Sequence, residues 1–262
     1  MKARANGIDV NYEVHGREGA PWLALSHSLA CSVRMWDPQI AALKDQYRIL
    51  AYDTRGHGAS GAPKGAYTLE LLADDLHFLL KELKIEKPHF CGLSMGGMIG
   101  QTYALKYPGS LRSLTLADTT SRYPAEAWPL WQERIATAQA KGMAPLAQPT
   151  LERWFTEPFR RANAAAVDAI RKLILATPVA GYAGCCHAIP KINLTARLRE
   201  IKCPILVIVG EQDPGTPPSM AREIHENAPG SKLVVLPQAA HLSNLEQPEG
   251  FSRALRDFLR SN

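Results

Sequence analysis

Residues 89–100 read HFCGLSMGGMIG. An apolar, strand-like run ends at Leu93 and a helix-like run starts at Met95, with one serine, Ser94, between them inside G-x-S-x-G. A glycine-rich turn in this setting can hold a phosphate, let a helix pack closely on a strand, or raise a nucleophile above a sheet. The strand–turn–helix context favours the third use. The bend forces the central residue into a strained backbone conformation with its side chain lifted. A Cβ at Gly92 or Gly96 is expected to collide with the turn. The helix starting at Met95 aims its free N–H groups and the positive end of its dipole at the space above Ser94. The alternative is that Gly96 and Gly97 serve only close helix–strand packing.

Outward from this turn the pattern alternates. KARANGIDVNYEVHG (2–16) places Asn-Gly between alternating runs and predicts a hairpin. WLALSH (22–27), YRILAYD (47–53), HFCGL (89–93), LRSLTLAD (111–118), PILVIVG (204–210) and KLVVLP (232–237) read as strands. PQIAALKD (38–45), TLELLADDLHFLLKEL (68–83), MGGMIGQTYALKYP (95–108), MAREIHENA (220–228) and GFSRALRDFLRS (250–261) read as helices. In the second of these, Leu69, Leu72, Leu76, Leu79, Leu80 and Leu83 share a face, and Thr68 is placed to cap it. Alternating strands and helices predict an α/β fold with a mostly parallel central sheet flanked by helices. Residues 122–197 break the alternation with helical patterns only, and are expected to form an inserted helical cap. The expected organisation is a core of residues 1–121 and 198–262 with a cap at 122–197.

Charge follows the same division. The chain carries a net charge of +5, and segment 122–197 alone holds ten Lys/Arg against five Asp/Glu. No basic cluster marks a nucleic-acid surface: KELKIEK (81–87) mixes both signs. No apolar run approaches the roughly 18 residues of a membrane helix. MKARANGIDV lacks the apolar stretch of a secretory signal, and five cysteines with no C-x-x-C pair argue against a disulfide framework. A reducing, cytoplasmic setting is the expectation. Adjacent Cys185 and Cys186 read as small packing residues, with no histidine or acid spaced for a metal.

Gly56, Gly58 and Gly61 in YDTRGHGASGAP spell G-x-G-x-x-G after a strand. A dinucleotide site needs a helix to open at those glycines. Here Pro63 and Gly65 intervene and the helix starts near Thr68, so a tight loop at the carboxyl edge of the sheet is expected instead.

A serine hydroxyl needs a base. Of eight histidines, His241 in QAAHLSNLEQP lies just past a strand, in a loop before the last helix. Asp213 in VIVGEQDPGTP also follows a strand and is the candidate to orient it, with Asp118 as the competing acid. Ligands of such sheets gather at the carboxyl ends of strands, where Ser94, Asp213 and His241 all fall. LSHSLA (25–30) ends another strand, and the backbone N–H groups of Leu29 and Met95 are the candidate oxyanion donors.

Over nearly its whole length the chain resembles the α/β-hydrolase superfamily, whose order is serine, acid, histidine. Within it the chain is most similar to the 3-oxoadipate enol-lactonases, through RMWDPQ (34–39), YDTRGHG (52–58), FCGLSMGGM (90–98), LERWF (151–155), GYAGCCHAI (181–189), DPGTPP (213–218) and AHLSNLEQPE (240–249). The resemblance implies a cofactor-free lactonase of aromatic catabolism that uses Ser94, Asp213 and His241 on a small ester or lactone. Two positions depart from that family. Where its pattern reads S-N-S-L-G this chain has Ser26-His27-Ser28-Leu29-Ala30, and Ala51 stands where arginine is usual. A general carboxylesterase, a cofactor-free perhydrolase and a non-catalytic small-molecule sensor are the rival expectations. An enol-lactone of this kind carries a free carboxylate, which calls for arginine. Arg34 and Arg122 are the expected partners, and Trp131 and Trp154 the expected apolar contacts, with Trp128 and Met143 as further candidates for the pocket wall. The sequence leaves open whether the chain forms a homo-oligomer.

Overall fold

The computed structural model describes all 262 residues. Strands β1 (Lys2–Ala5) and β2 (Ile8–His15) form the expected hairpin. Asn6 and Gly7 turn it with φ of +45° and +80°, a pairing that matches the natural twist of two strands. β2 then pairs antiparallel with β4 (Arg48–Tyr52). All later pairings are parallel, through β3 (Trp22–Ser26), β5 (His89–Leu93), β6 (Ser113–Ala117), β7 (Ile205–Gly210) and β8 (Lys232–Leu236). The eight strands lie in the order β1-β2-β4-β3-β5-β6-β7-β8. β3, β5, β6 and β7 are apolar almost throughout and buried, as strands covered on both faces must be.

Helices α1 (Asp37–Leu43), α2 (Leu69–Glu82) and α3 (Met95–Lys106) follow β3, β4 and β5. Thr68 caps α2 as expected, its hydroxyl accepting the N–H of Leu71 at 3.1 Å. Between β6 and β7 the chain makes no strand. It forms α4 (Trp128–Lys141), α5 (Ala144–Trp154), α6 (Glu157–Ala162), α7 (Ala164–Ala176) and α8 (Val179–Ala188), with short 3-10 turns around them. α9 (Pro218–Asn227) joins β7 to β8, and a short α10 (Ser243–Glu246) precedes α11 (Pro248–Arg260). α2 packs on α3 and α1 on α11, in separate layers. No single helix is long and apolar enough to cross a membrane.

The glycines of the G-x-G-x-x-G stretch have a packing role. Gly56, at φ +80°, lies against Gly181 of α8, so a Cβ on either residue would sit within 2.3 Å of the other's backbone. Gly58 leaves room for the Asp53 carboxylate. That carboxylate accepts the N–H groups of Val33 and Ala59 and the Asn11 amide. The loop therefore fastens the helical insert to the sheet by backbone-to-backbone contact. Gly181→Ala is expected to lower unfolding stability by about 1–3 kcal/mol through overpacking. Urea unfolding measures the loss, and limited proteolysis should show first cleavage within residues 122–197.

Candidate active site

Ser94 sits on the bend between β5 and α3 with φ +56° and ψ −116°, a conformation that side chains rarely adopt. The bend is fixed from the neighbouring strand. Ser94 N–H donates to Ala117 O at 2.8 Å, and the Thr119 hydroxyl donates to Ser94 O at 2.7 Å. A Cβ on Gly92 would lie 2.2 Å from Gly96 O, so the turn itself requires that glycine. A Cβ on Gly96 would instead strike Ser26 O, at 2.1 Å. That glycine is required by the end of β3 rather than by the turn, which corrects the expectation from sequence.

The structure brings Ser94, His241 and Asp213 together from three loops. His241 Nε2 is 3.0 Å from Ser94 Oγ, and His241 Nδ1 is 2.8 Å from Asp213 Oδ2. Asp213 also accepts the N–H groups of Gly215 and Thr216 at 2.8 and 3.1 Å and the Thr216 hydroxyl at 2.7 Å. Burial pushes the Asp213 carboxyl up. The nearby His241 and the Thr216 donors outweigh burial, and its pKa lies below the ordinary value.

Asp118, the competing acid, faces other partners. Its Oδ1 accepts Gly210 N–H at 2.8 Å, and its Oδ2 lies 2.5 Å from the Ser243 hydroxyl. It thereby joins the loop that leads to Asp213 with the loop that follows His241. Burial, reinforced by the charge of Asp213, pushes its pKa well above the ordinary value.

His27 replaces the asparagine of the lactonase pattern, and its ring has a defined tautomer. Thr54 N–H donates to Nε2 at 2.9 Å, so Nδ1 carries the proton and donates to Ser28 O at 2.7 Å. Burial lowers its pKa against the opposing pull of Asp53, which favours this neutral form. In a trans peptide the C=O and N–H point opposite ways. His27 therefore grips Ser28 O and turns the N–H of Leu29 to the other side. Neither Leu29 N–H nor Met95 N–H has an acceptor within the protein. Ala30, next in the loop, holds φ +56° where the lactonase pattern has glycine.

A cavity of about 160 Å³ opens over Ser94 and His241. Leu29 and Met98 border it from the sheet side, and Tyr123, Trp131, Arg134, Arg153, Trp154 and Ile189 from the insert. Trp131 and Trp154 stand where the sequence suggested, and the Trp154 ring lies 5.9 Å from the His241 ring. Trp128 is exposed and Met143 is buried in packing, so neither borders the cavity. The two arginines chosen from sequence are elsewhere. Arg34 lies outside, paired with Glu13 and with Asp37. Arg122 is 60% exposed and binds Glu223 at 2.6 Å. Arg134 and Arg153 take their place at the cavity. Both are half-buried and neither has an acidic partner or a hydrogen bond; Arg134 lies over the Trp131 ring at 4.8 Å. Sequence did hold a signal for them. Arg134 is three residues beyond Trp131 on one helix, and so shares its face, while Arg153 is the neighbour of Trp154. No group of three His, Cys, Asp or Glu side chains is placed to hold a metal ion.

The family model described as the alpha/beta hydrolase fold matches residues 15–248. The 3-oxoadipate enol-lactonase 2 of Acinetobacter baylyi is 36% identical over 257 residues, covering 98% of this chain and 95% of that protein. The crystal structure of an enol-lactonase from Burkholderia xenovorans LB400 matches with a TM-score of 0.96 at 38% identity, over 99% of this chain and 100% of that one. A thermophilic esterase from Thermogutta terrifontis, solved with malate bound, matches with a TM-score of 0.94 at 31% identity, over 100% of this chain and 98% of that one.

The two buried carboxyls predict opposite pH effects on folding. A raised acid pKa means that the folded state loses stability as pH climbs from the unfolded value of about 4 through the folded one; a lowered one means that it gains stability as pH climbs from the folded value to about 4, and keeps that gain above it. As pH rises from about 4 to 7, Asp118→Asn should therefore become progressively more stable relative to wild type; Asp213→Asn should become progressively less stable relative to wild type as pH rises towards about 4, with the difference constant above that. Urea unfolding at several pH values measures both slopes.

Proposed function

The chain belongs to the α/β-hydrolase family and is an ester-hydrolysing enzyme, and from that premise we propose that it opens a small lactone bearing a free carboxylate, with Ser94 as nucleophile. The observation that carries this reading is the pair Arg134 and Arg153, two guanidinium groups without acidic partners beside the cavity that holds Ser94 and His241. A half-buried cation without a counter-ion is costly, and an anionic ligand removes that cost. Likeness to enol-lactonases of Acinetobacter baylyi and Burkholderia xenovorans supports 3-oxoadipate enol-lactone as the substrate.

In this mechanism Ser94 Oγ attacks the acyl carbon while His241 Nε2 takes its proton. The carbonyl electron pair moves onto oxygen, and the oxyanion is met by the N–H groups of Leu29 and Met95. Asp213 stays ionised, holds the Nδ1–H tautomer and stabilises the imidazolium. Collapse breaks the acyl–oxygen bond as His241 returns its proton to the leaving oxygen. In a lactone that oxygen remains tethered to the acyl group. In an enol-lactone it is an enol, which becomes a ketone. A water then gives a proton to His241 and hydroxide to the acyl carbon. The second collapse releases the acid and reprotonates Ser94.

A panel of enol-lactone, neutral aryl esters and their carboxylate-bearing analogues tests the reading. Ser94→Ala should lose at least about 10³-fold in kcat. Arg134→Gln and Arg153→Gln should each raise KM for the carboxylate-bearing substrates by about tenfold, the cost of one charge-assisted contact, and leave neutral esters nearly unaffected. A wild type that prefers neutral esters would instead be a general carboxylesterase. Release of about one equivalent followed by a stall would indicate a sensor.

A further inference from the structure

Two hydrogen-bonded rungs join the end of α5 to the loop that carries His241. In the first, Leu242 N–H donates to Trp154 O at 3.1 Å. In the second, the buried carboxylate of Glu246 bridges the segments. Its Oε1 accepts Thr156 N–H at 2.9 Å and the Thr156 hydroxyl at 2.7 Å, and its Oε2 accepts Ala240 N–H at 2.5 Å. Residues 240 and 242 flank His241 on one side. Residues 154 and 156 follow Arg153 on the other. The Arg160 guanidinium donates to the carbonyls of Glu152 and Phe155, at 2.9 and 2.5 Å, and closes the end of α5 beside this bridge.

We propose that Glu246 is a positioning residue that ties the carboxylate-binding wall of the cavity to the general base. The geometry leaves little slack: a shift at Arg153 or Trp154 is transmitted through one short bridge to the backbone on each side of His241. The bridge also explains why an acid occupies this position. Three donors converge on it and no acceptor does, so only a group that accepts at both oxygens satisfies them all. An amide would turn an NH₂ towards either Ala240 N–H or Thr156 N–H and leave that donor unpaired in a buried place.

This inference rests on the proposed contact of Arg153 with a substrate carboxylate. Its test is a steady-state comparison of a neutral aryl ester and its carboxylate-bearing analogue, with rates normalised to active enzyme by titration with a fluorophosphonate. Glu246→Gln should lower kcat about tenfold on both esters, the cost of one buried charge-assisted hydrogen bond, and should raise KM about tenfold for the carboxylate-bearing ester only. Thr156→Val, which removes one donor on the insert side, should raise the same KM several-fold, and Thr156→Ser should restore it. If Glu246→Gln and Thr156→Val change both esters by one common factor, or leave KM for the charged ester unchanged, the proposal is overturned. A wild type with no response of charged-ester KM to Arg153→Gln overturns the parent reading, and this inference with it. A wild type that responds, paired with a Glu246→Gln variant that keeps the full preference, overturns this inference alone.

Discussion

The site depends first on how closely three backbone segments meet beneath Ser94. The turn after β5 passes within contact of its own helix at Gly92, and of the end of β3 at Gly96. The end of β6 holds it through Ala117 O and the Thr119 hydroxyl. A serine at φ +56° carries a local cost of roughly 1–3 kcal/mol, which these fixed contacts offset. Because the strain is imposed by a parallel sheet, the backbone that presents the hydroxyl cannot relax without parting strands. The same closeness places the first turn of α3 so that Met95 N–H lacks a protein acceptor.

A second consequence of burial is the contrast between two aspartates at neighbouring strand ends. Asp118 follows β6 and Asp213 follows β7. Both are removed from water, yet their protonation preferences diverge because their surroundings differ in kind. Asp213 meets two N–H groups, a hydroxyl and an imidazole that can become positive. Asp118 meets the Gly210 N–H and the Ser243 hydroxyl and backbone, but no group that can become positive, with Asp213 as the charge beside it. Two charges in a poorly solvated place are unfavourable together, so the carboxyl with the better donors holds its charge more readily and the other takes up a proton more readily. In the proposed mechanism this concentrates the negative charge on the side of the imidazole that needs it. It leaves Asp118 as a brace between the loops that carry the acid and the base.

Much of this was legible in the sequence because the signals were local. Periodicity marked the strands, Asn6-Gly7 the hairpin, and Thr68 the start of α2. The loop positions of Asp213 and His241 followed from strand ends. What stayed hidden depended on rotation and register. α8 is buried nearly all round, so GYAGCCHA has no polar face to betray a helix. Arg34 and Arg122 lie near the right strands, but side-chain direction sends them to Glu13, Asp37 and Glu223. The requirement for Gly96 was visible. Its cause, the carbonyl of Ser26 seventy residues earlier in the chain, was not.

Two contrasting kinds stand out among the basic side chains of residues 122–197. Arg161 and Lys172 bind acids of their own segment on exposed faces, Arg197 binds Glu200 just beyond it, and Arg122 binds Glu223 of α9. Such pairs are worth little in stability, and beyond about 8–10 Å their fields are screened at ordinary salt. Neutralised by their partners, they add little attraction for an anion. Arg134 and Arg153 differ in being drawn partly out of water with no acid beside them, where a charge interacts more strongly and at short range. In the proposed reading the sheet loops supply the groups for bond breaking, while the insert supplies the only arginine or lysine side chains that border the cavity. Chemistry and recognition are thus assigned to separate layers. In the proposed reading, a ligand that satisfies both has to bridge them, which favours a small acyl compound with a carboxylate at its far end over a neutral ester of the same size.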